Sequence, residues 1–475
     1  MAWRKIEDSK LTAIAEGFRK SRGTSESYTL DRMAALAAER VTADELLPAS
    51  EFPVYMRGAV QTMADKIRAV QSADSITFLA MADTHHFGGE GASGEQTNVG
   101  NIRAAMAAKA LTCMVDFDFM AHLGDAGRGH KTTTPAMLES QIKDMFDMLL
   151  EADGGFPCFR AIGNHDTGIY YHNQQIADGK TGIYTESGEY LYNAFTALSA
   201  GDNTVFGGQT NGGYCYRDFP DKKLRVFLLN TSESLVANQT DYATLGSQRK
   251  WLANALLNLN SKSDAADWRW ILLSHYPADY GETLPLSRML KAYVEGKSIT
   301  ISAEDGTSTT ADFSGKNAAK FVAQFHGHVH NFLTSKLFDI VNGSPVQYDA
   351  WRVGIPNGQY NRENYYGEVA GINFAEPTSY PKTPNTVQET SFVVNVIRPD
   401  EEKIYSFCYG AGYDRVIGYA ATVYYSVTTN LTNVTITASA ASVEKGQPYT
   451  ATLSIASDYE WQSVKVTVLR SSGRT

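Results

Sequence analysis

The chain has no apolar run approaching the length needed to cross a bilayer, so a helical membrane protein is not expected. Its first residues, Met1 to Asp8, carry charges where a secretory signal needs an apolar core. A soluble product made in the cytoplasm is therefore expected. Positive charge is also in short supply. There are 42 Lys and Arg against 52 Asp and Glu, a formal net charge of −10, which argues against a protein built to grip nucleic acid backbones. Cysteine is scarce, and Cys113, Cys158, Cys215 and Cys408 are scattered without C-x-x-C spacing. They read as buried free thiols, with a disulfide between two of them left open. Low-complexity tracts are absent too. What remains is the composition of a globular protein, 43% hydrophobic and 20% charged, whose 475 residues are too many for one compact core. Two or three domains are expected.

Up to about residue 75 the pattern is helical. Leu11, Ile14, Ala15 and Phe18 recur at helical spacing, a second run begins at Thr29 to Met33, and a third runs from Tyr55 through Ala64 to Val70. Polar turns such as Ser21 to Ser25 separate these pieces, which suits an attachment segment better than a catalytic domain. From Ile76 the texture becomes strand–helix alternation. Apolar strands are predicted over 76–82, 117–123, 159–162, 225–229, 268–273 and 321–325, and helices over 102–114, 137–150 and 248–257. That alternation implies an α/β fold, with sheets flanked by helices. Two long connections, 166–224 and the polar, partly β-like 279–316, read as functional loops or caps. After Tyr419, Thr, Val, Ser and Ala alternate, as in Val434 to Thr437 and Tyr449 to Leu453, which predicts a β-sandwich-like module. Residues 423–475 are fewer than the ~100 of an immunoglobulin-like domain, so the chain is expected to stop inside that module.

Five of the predicted strands end in metal-binding side chains. Asp83-Thr84-His85 follows the first, Gly124-Asp125 the second and Gly163-Asn164-His165-Asp166 the third. His275 follows the strand 268–273, and Gly327-His328-Val329-His330 follows the last. A Gly-Asp pair or a single histidine at a strand end is ordinarily structural; Gly-Asn-His-Asp and Gly-His-x-His are sharper. The weight lies in all five occurring in order, at the strand ends where α/β sheets place their sites.

This ordered set resembles the calcineurin-like metallophosphoesterase family, whose pattern is D-x-H, GD, GNH[D/E], H, GHxH. The likeness extends to Gly213–Phe219, Arg225–Thr231 and Gln248–Leu252, and covers roughly residues 76–420. It implies a four-layer α/β/β/α sandwich holding two divalent metal ions ~3.5–4 Å apart, which bind a phosphate and activate a bridging hydroxide. Asp125 would bridge them, with Asp83, His85 and His330 completing one metal and Asn164, His275 and His328 the other. Only Asp83 and Asp125 are anionic, so the centre would stay positive and favour phosphate. The mixed nitrogen and oxygen donors suit Mn, Fe, Zn, Ni or Co without choosing among them. The resemblance assigns His165 to contacting the phosphate and protonating the leaving oxygen. Asp166 is expected to hydrogen-bond its imidazole and raise its pKa.

Arg128 and Arg352 are candidate phosphate contacts, although many relatives carry a different, often acidic, residue at the Arg128 position. Tyr360, Tyr365 and Tyr366 are candidates to stack on a sugar or base, with ordinary packing the competing reading in a chain of 26 tyrosines. His86, His122, His130, His172 and His326 are expected in the core or at the surface, with His122 and His326 near enough to hold the ligands from behind.

The domains read as an attachment segment over 1–75, a metallophosphoesterase domain over 76–422 and a β-rich module over 423–475. The expected function is metal-dependent hydrolysis of a phosphoester, a diester favoured over a monoester. Leu11 to Ala15 and Tyr28 to Met33 are also similar to helical segments of bacteriophage and prophage tail and baseplate proteins, and the C-terminal part looks like their immunoglobulin-like appendages. This second resemblance implies tail or baseplate proteins as partners, a virion-associated location, and phosphodiester-linked surface polymers such as teichoic acids as substrates. The alternative is a tail structural or receptor-binding protein in which the phosphoesterase fold is mainly architectural.

Overall fold

In a computed structural model of the chain, the described residues are 53–87, 91–129, 134–152, 157–168, 186–237, 244–330, 332–359 and 382–419, with 427–428, 434–438 and 451–455. Helix α1 (Val54–Val70) leads into β1 (Ile76–Met81), α2 (Gly91–Met114), β2 (Phe119–His122), α3 (Pro135–Ala152) and β3 (Cys158–Arg160). The three strands pair in parallel and are buried throughout, which is why they read as unbroken apolar runs and not as an alternation. The chain then builds β4 (Thr204–Phe206), β5 (Cys215–Phe219), β6 (Leu224–Leu228), α4 (Gly246–Asn260), β7 (Arg269–Ser274) and α5 (Leu284–Val294). A hairpin of β8 (Ser298–Ser302) and β9 (Ser308–Asp312) precedes β10 (Lys320–His326), β11 (Thr334–Val341) and β12 (Ser344–Gly354). Finally β13 (Ser391–Arg398), β14 (Lys403–Gly410), β15 (Asp414–Gly418) and the short β16 (Val427–Thr428) return to the first sheet.

Two seven-stranded mixed sheets result, ordered β16-β15-β14-β13-β1-β2-β3 and β11-β12-β10-β7-β6-β5-β4. Their inner faces share one apolar cluster, in which Phe78, Phe119 and Val393 of the first sheet meet Val226, Leu273 and Phe325 of the second. The other face of the first sheet packs through Leu79 and Val394 on α1, α2 and α3. The other face of the second packs through Trp270 and Leu272 on α4 and α5. Alanines at 104, 107 and 108 let α2 lie close to its sheet.

Met56, Val60, Met63, Ala64 and Ile67 give α1 a buried stripe at helical spacing. Burying each larger side chain is worth ~1.5–3 kcal/mol. The third helical run of the sequence reading therefore shares the core of the sheet that follows it. The two earlier runs lie outside the described residues. The polar stretch 279–316 holds more order than its composition suggests, because α5 hides Leu286, Met289, Leu290 and Tyr293 behind a polar outer face. Strands β11 to β15 were not anticipated from the sequence. Cys113, Cys158, Cys215 and Cys408 are all free thiols, the middle two buried. At the C-terminal end, Val434–Ala438 and Ala451–Ile455 pair antiparallel. Among the described residues no helix is long and apolar enough to cross a membrane.

Candidate metal centre

Every motif of the ordered set follows the C-terminal end of a parallel strand: β1, β2 and β3 in the first sheet, β7 and β10 in the second. The backbone there is unusual. Among the described residues ten non-glycine positions have positive φ, and five of them are Asp83 (53°), His85 (44°), Asp125 (55°), His328 (65°) and His330 (50°). The left-handed region costs an L-residue roughly 1–2 kcal/mol, and such strain persists only where surroundings over-determine it. Here the N–H groups of Asp83 and His85 donate to the carbonyls of Gly124 and Asp125, both at 3.0 Å, zipping two ligand loops together. The His328 N–H donates to both Asp83 oxygens, at 3.0 and 3.1 Å. Glycine is required where these loops touch. A Cβ on Gly163 would sit 2.1 Å from Asp125 Oδ1, and one on Gly327 would sit 2.7 Å from Asp83 Oδ2.

Two groups of ligand atoms converge, each within 4.8 Å: Asp83, His85, Asp125 and His330 in one, Asp125, His275 and His328 in the other. Asp125 belongs to both. His330 Nε2 lies 3.2 Å from Asp83 Oδ1 and 3.3 Å from His85 Nε2. His275 Nε2 lies 3.3 Å from Asp125 Oδ2 and 3.1 Å from Asn164 Oδ1, which brings Asn164 into the second group. Asp83, His85, Asp125 and His275 are buried, and His328 is half-buried.

The donor set fits cations. His275 donates its Nδ1–H to the Leu123 carbonyl at 2.8 Å, so its Nε2 lone pair faces two acceptor oxygens. Such an arrangement repels itself unless a proton or a metal lies between. The same geometry favours positive charge on the imidazole: burial lowers the His275 pKa, but Asp125 beside it raises it to about 9. Reciprocally, burial pushes the Asp125 carboxyl up, but His275 and His165 hold it well below the usual range.

His165 and Asp166 are placed differently from each other. The His165 N–H donates to Asp125 Oδ1 at 2.9 Å, and its Nε2 comes within 4.0 Å of Asp125 Oδ2, at the edge of the centre. Its Nδ1–H goes to the carbonyl of Arg128, not to Asp166 as expected. Asp166 instead accepts the main-chain N–H groups of Asp125, Gly163 and Gly127 at 2.8, 2.9 and 3.0 Å, bracing two ligand loops. The expected rise in the His165 pKa is also reversed in the metal-free chain, because burial lowers it more than Asp125 raises it. Burial, helped by neighbouring Asp125, pushes Asp166 itself up to about 7.

The two candidate arginines are placed differently, and buried Arg352 is not presented to a substrate as the sequence suggested. The Arg128 guanidinium lies 3.8 Å over the Phe87 ring. Arg352 is buried, ion-paired to Asp279 and donating from Nε to Ser335 Oγ at 2.8 Å. Tyr360, Tyr365, Tyr366, His130 and His172 lie outside the described residues. His122 sits 3.1 Å from Thr84 Oγ1, between two ligands in sequence, and burial drives its pKa down to about 3. His326 is likewise buried, bonded through Nδ1 to the Gly327 carbonyl and lowered to about 3 by burial. Sequence reasoning missed Asn101, whose amide donates to Thr84 O and His86 Nδ1, both at 3.2 Å. It also missed Tyr276, whose ring lies 3.9 Å from that of His328. Gln324 went unnoticed too, although a polar residue inside Phe321-Val322-Ala323-Gln324-Phe325 breaks an apolar strand and was a readable signal.

These residues form a candidate metal centre at the strand ends of an α/β protein. The chain belongs to the calcineurin-like phosphoesterases, whose family model matches residues 76–332, more than half of it. Membership points to a hydrolase acting on phosphoesters. Among solved structures, the NAD nucleotidase of Haemophilus influenzae is similar, with 13% identity and a TM-score of 0.29 over 75% of this chain. The chain spans 54% of that protein's length. No curated protein matches the sequence at a significant level.

Proposed function

We propose that the protein hydrolyses phosphodiesters at a dinuclear centre, with Asp83, His85, Asp125 and His330 holding one divalent ion and Asp125, Asn164, His275 and His328 the other. The observation that carries this reading is the sharing of Asp125 between two converging ligand groups. Divalent ions held there supply Lewis acidity to the phosphoryl group and a nucleophile from water. The chain's own contribution is orientation. Glycines 124, 163 and 327 let the loops approach, and Asp166 holds the Asp125 and Gly163 backbones at a fixed separation. His165, with Nδ1–H committed to Arg128 O, turns Nε2 to the edge of the centre, and it protonates the leaving oxygen only from the imidazolium form, which Asp125 favours and burial disfavours.

Preference for a diester is supported by the commitment of buried Arg352 to Asp279, which takes one candidate cation away from the substrate. A diester monoanion asks for less cationic help than a monoester dianion. The test compares bis-p-nitrophenyl phosphate with p-nitrophenyl phosphate on protein loaded with Mn²⁺, alongside Asn164→Ala and total metal content. Faster diester cleavage, with metal and turnover both reduced in Asn164→Ala, is expected. Loaded protein that cleaves neither ester, with Asn164→Ala unchanged in metal, refutes the proposal.

A further inference from the structure

On the helix-covered face of the second sheet, alternation calls for apolar side chains, and Phe227, Trp270, Leu272 and Ala350 supply them. Polar residues interrupt that face, Arg225 of β6 against α4 and two more close to the centre. Gln324 of β10 and Arg352 of β12 are register partners, so they stand side by side, and both are buried. Both direct hydrogen bonds to one short segment, the residues that follow β7 and carry His275. The Gln324 amide donates to Ser274 Oγ at 2.7 Å and to the Tyr276 carbonyl at 3.1 Å, and its Oε1 accepts the Ala278 N–H at 2.9 Å. Arg352 pairs with Asp279, whose other oxygen accepts the Phe338 N–H at 3.2 Å. The Tyr276 N–H is tied down separately by Thr231 Oγ1, at 2.9 Å.

The segment so anchored meets the centre through aromatic rings. Tyr276 lies 3.9 Å from the His328 ring and 5.1 Å from the His275 ring, and Tyr280 lies 5.1 Å from His328. The ligand group of Asp83 and His85 is held by other means, through main-chain bonds to Gly124 and Asp125. A charged pair enclosed this fully is poor evidence of stabilisation, because desolvation offsets its attraction. Its position calls for another explanation.

We propose that Arg352, paired with Asp279 and working beside Gln324, is a positioning residue for the His275–His328 half of the centre, setting the Tyr276 shelf against which His328 is oriented. The proposal rests on the dinuclear reading above. Removing one partner alone strands a buried charge, so the informative variant is Asp279→Leu with Arg352→Met, which replaces the pair by apolar groups of comparable bulk. Gln324→Leu is the second variant, since it removes a neutral anchor and leaves the pair intact.

Two readouts are taken, Mn²⁺ titration by calorimetry and the imidazole Cε1–H NMR signals of the metal-free protein. One of the two Mn²⁺ binding events is expected to weaken ~10–100-fold, as losses of ligand-orienting partners do, while the other is unchanged and the melting temperature stays near the parent's. In the metal-free protein the His275 and His328 signals should move and those of His85 and His330 should not. Equal affinities at both sites in parent and variant, equal weakening of both, or unmoved His275 and His328 signals each overturn the proposal. If the parent binds no Mn²⁺ or cleaves neither ester, the proposed function fails. The imidazole signals then still decide whether Arg352 positions this half.

Discussion

Gly163→Ala is the sharpest perturbation of the centre, because it adds one methyl group and touches no ligand chemically. That methyl would lie 2.1 Å from Asp125 Oδ1 and 2.3 Å from the Asp125 nitrogen, where ordinary contact begins at 3.4 Å. Relief therefore asks for a shift of about 1.3 Å in the carboxylate or in the Gly163 backbone. Neither moves freely. Asp125 Oδ1 accepts the His165 N–H at 2.9 Å, while Asp166 binds both the Asp125 and Gly163 N–H groups. Overpacking of this kind costs ~1–3 kcal/mol, a fraction of the ~5–15 kcal/mol by which folded proteins are ordinarily stable. Misplacing a catalytic constellation by ~1 Å costs on the order of 10²-fold in rate. Because Asp125 serves both ligand groups, both metals should weaken together. The assay is metal content by mass spectrometry, Mn²⁺ titration and diester turnover, with a thermal melt to establish folding. A folded Gly163→Ala protein with both metals at parent affinity and parent turnover would refute the idea that this glycine exists to admit Asp125.

Two further outcomes follow from particular side chains. His165→Ala should retain both metals and lose ~10²–10⁴-fold in turnover, since its Nε2 stands at the edge of the centre without belonging to either ligand group; loss of metal in that variant would assign it a different role. Glu233 is buried, accepting the Leu245 N–H at 2.9 Å and the Gln248 amide, and burial pushes its pKa from 4.5 up to about 7. A raised folded-state value means its stability contribution is complete below about 4.5 and is lost as the pH rises through about 7. Glu233→Gln should therefore gain on the parent above neutral pH, by about 3 kcal/mol at most, and show no advantage in acid. Urea midpoints across that range check it, and a pH-independent difference contradicts it.

Much of the α/β core was legible because its signals are local. Strand 76–82 overruns the observed β1 by one residue and 268–273 is offset from β7 by one, since buried parallel strands announce themselves as apolar runs. The helix expected from Ile102 begins at Gly91, where glycine-rich sequence conceals it. Strands β11 to β15 were missed for a different reason. In β11 and β12 charged residues stand among the apolar ones, and only pairing with neighbours tells such segments from loops. The candidate ligand set was readable because each of its motifs stands just past a strand end. Arg352 was misread because its sequence neighbourhood carries no trace of Asp279, its partner across the fold.

By itself the sequence determined the family, the order of the strands that carry the motifs, and which side chains are candidate metal donors. These depend on short patterns within one segment. Only the tertiary structure decided that Asp125 stands between two ligand groups, and that five ligand residues adopt left-handed backbone. It also decided that His165 donates its Nδ1–H hydrogen bond to Arg128 O and not to Asp166, and that Arg352 serves the interior. Each of these rests on contacts between strand-end loops brought together by the packing of two sheets. Position along one chain segment does not encode which buried polar group a distant side chain will meet.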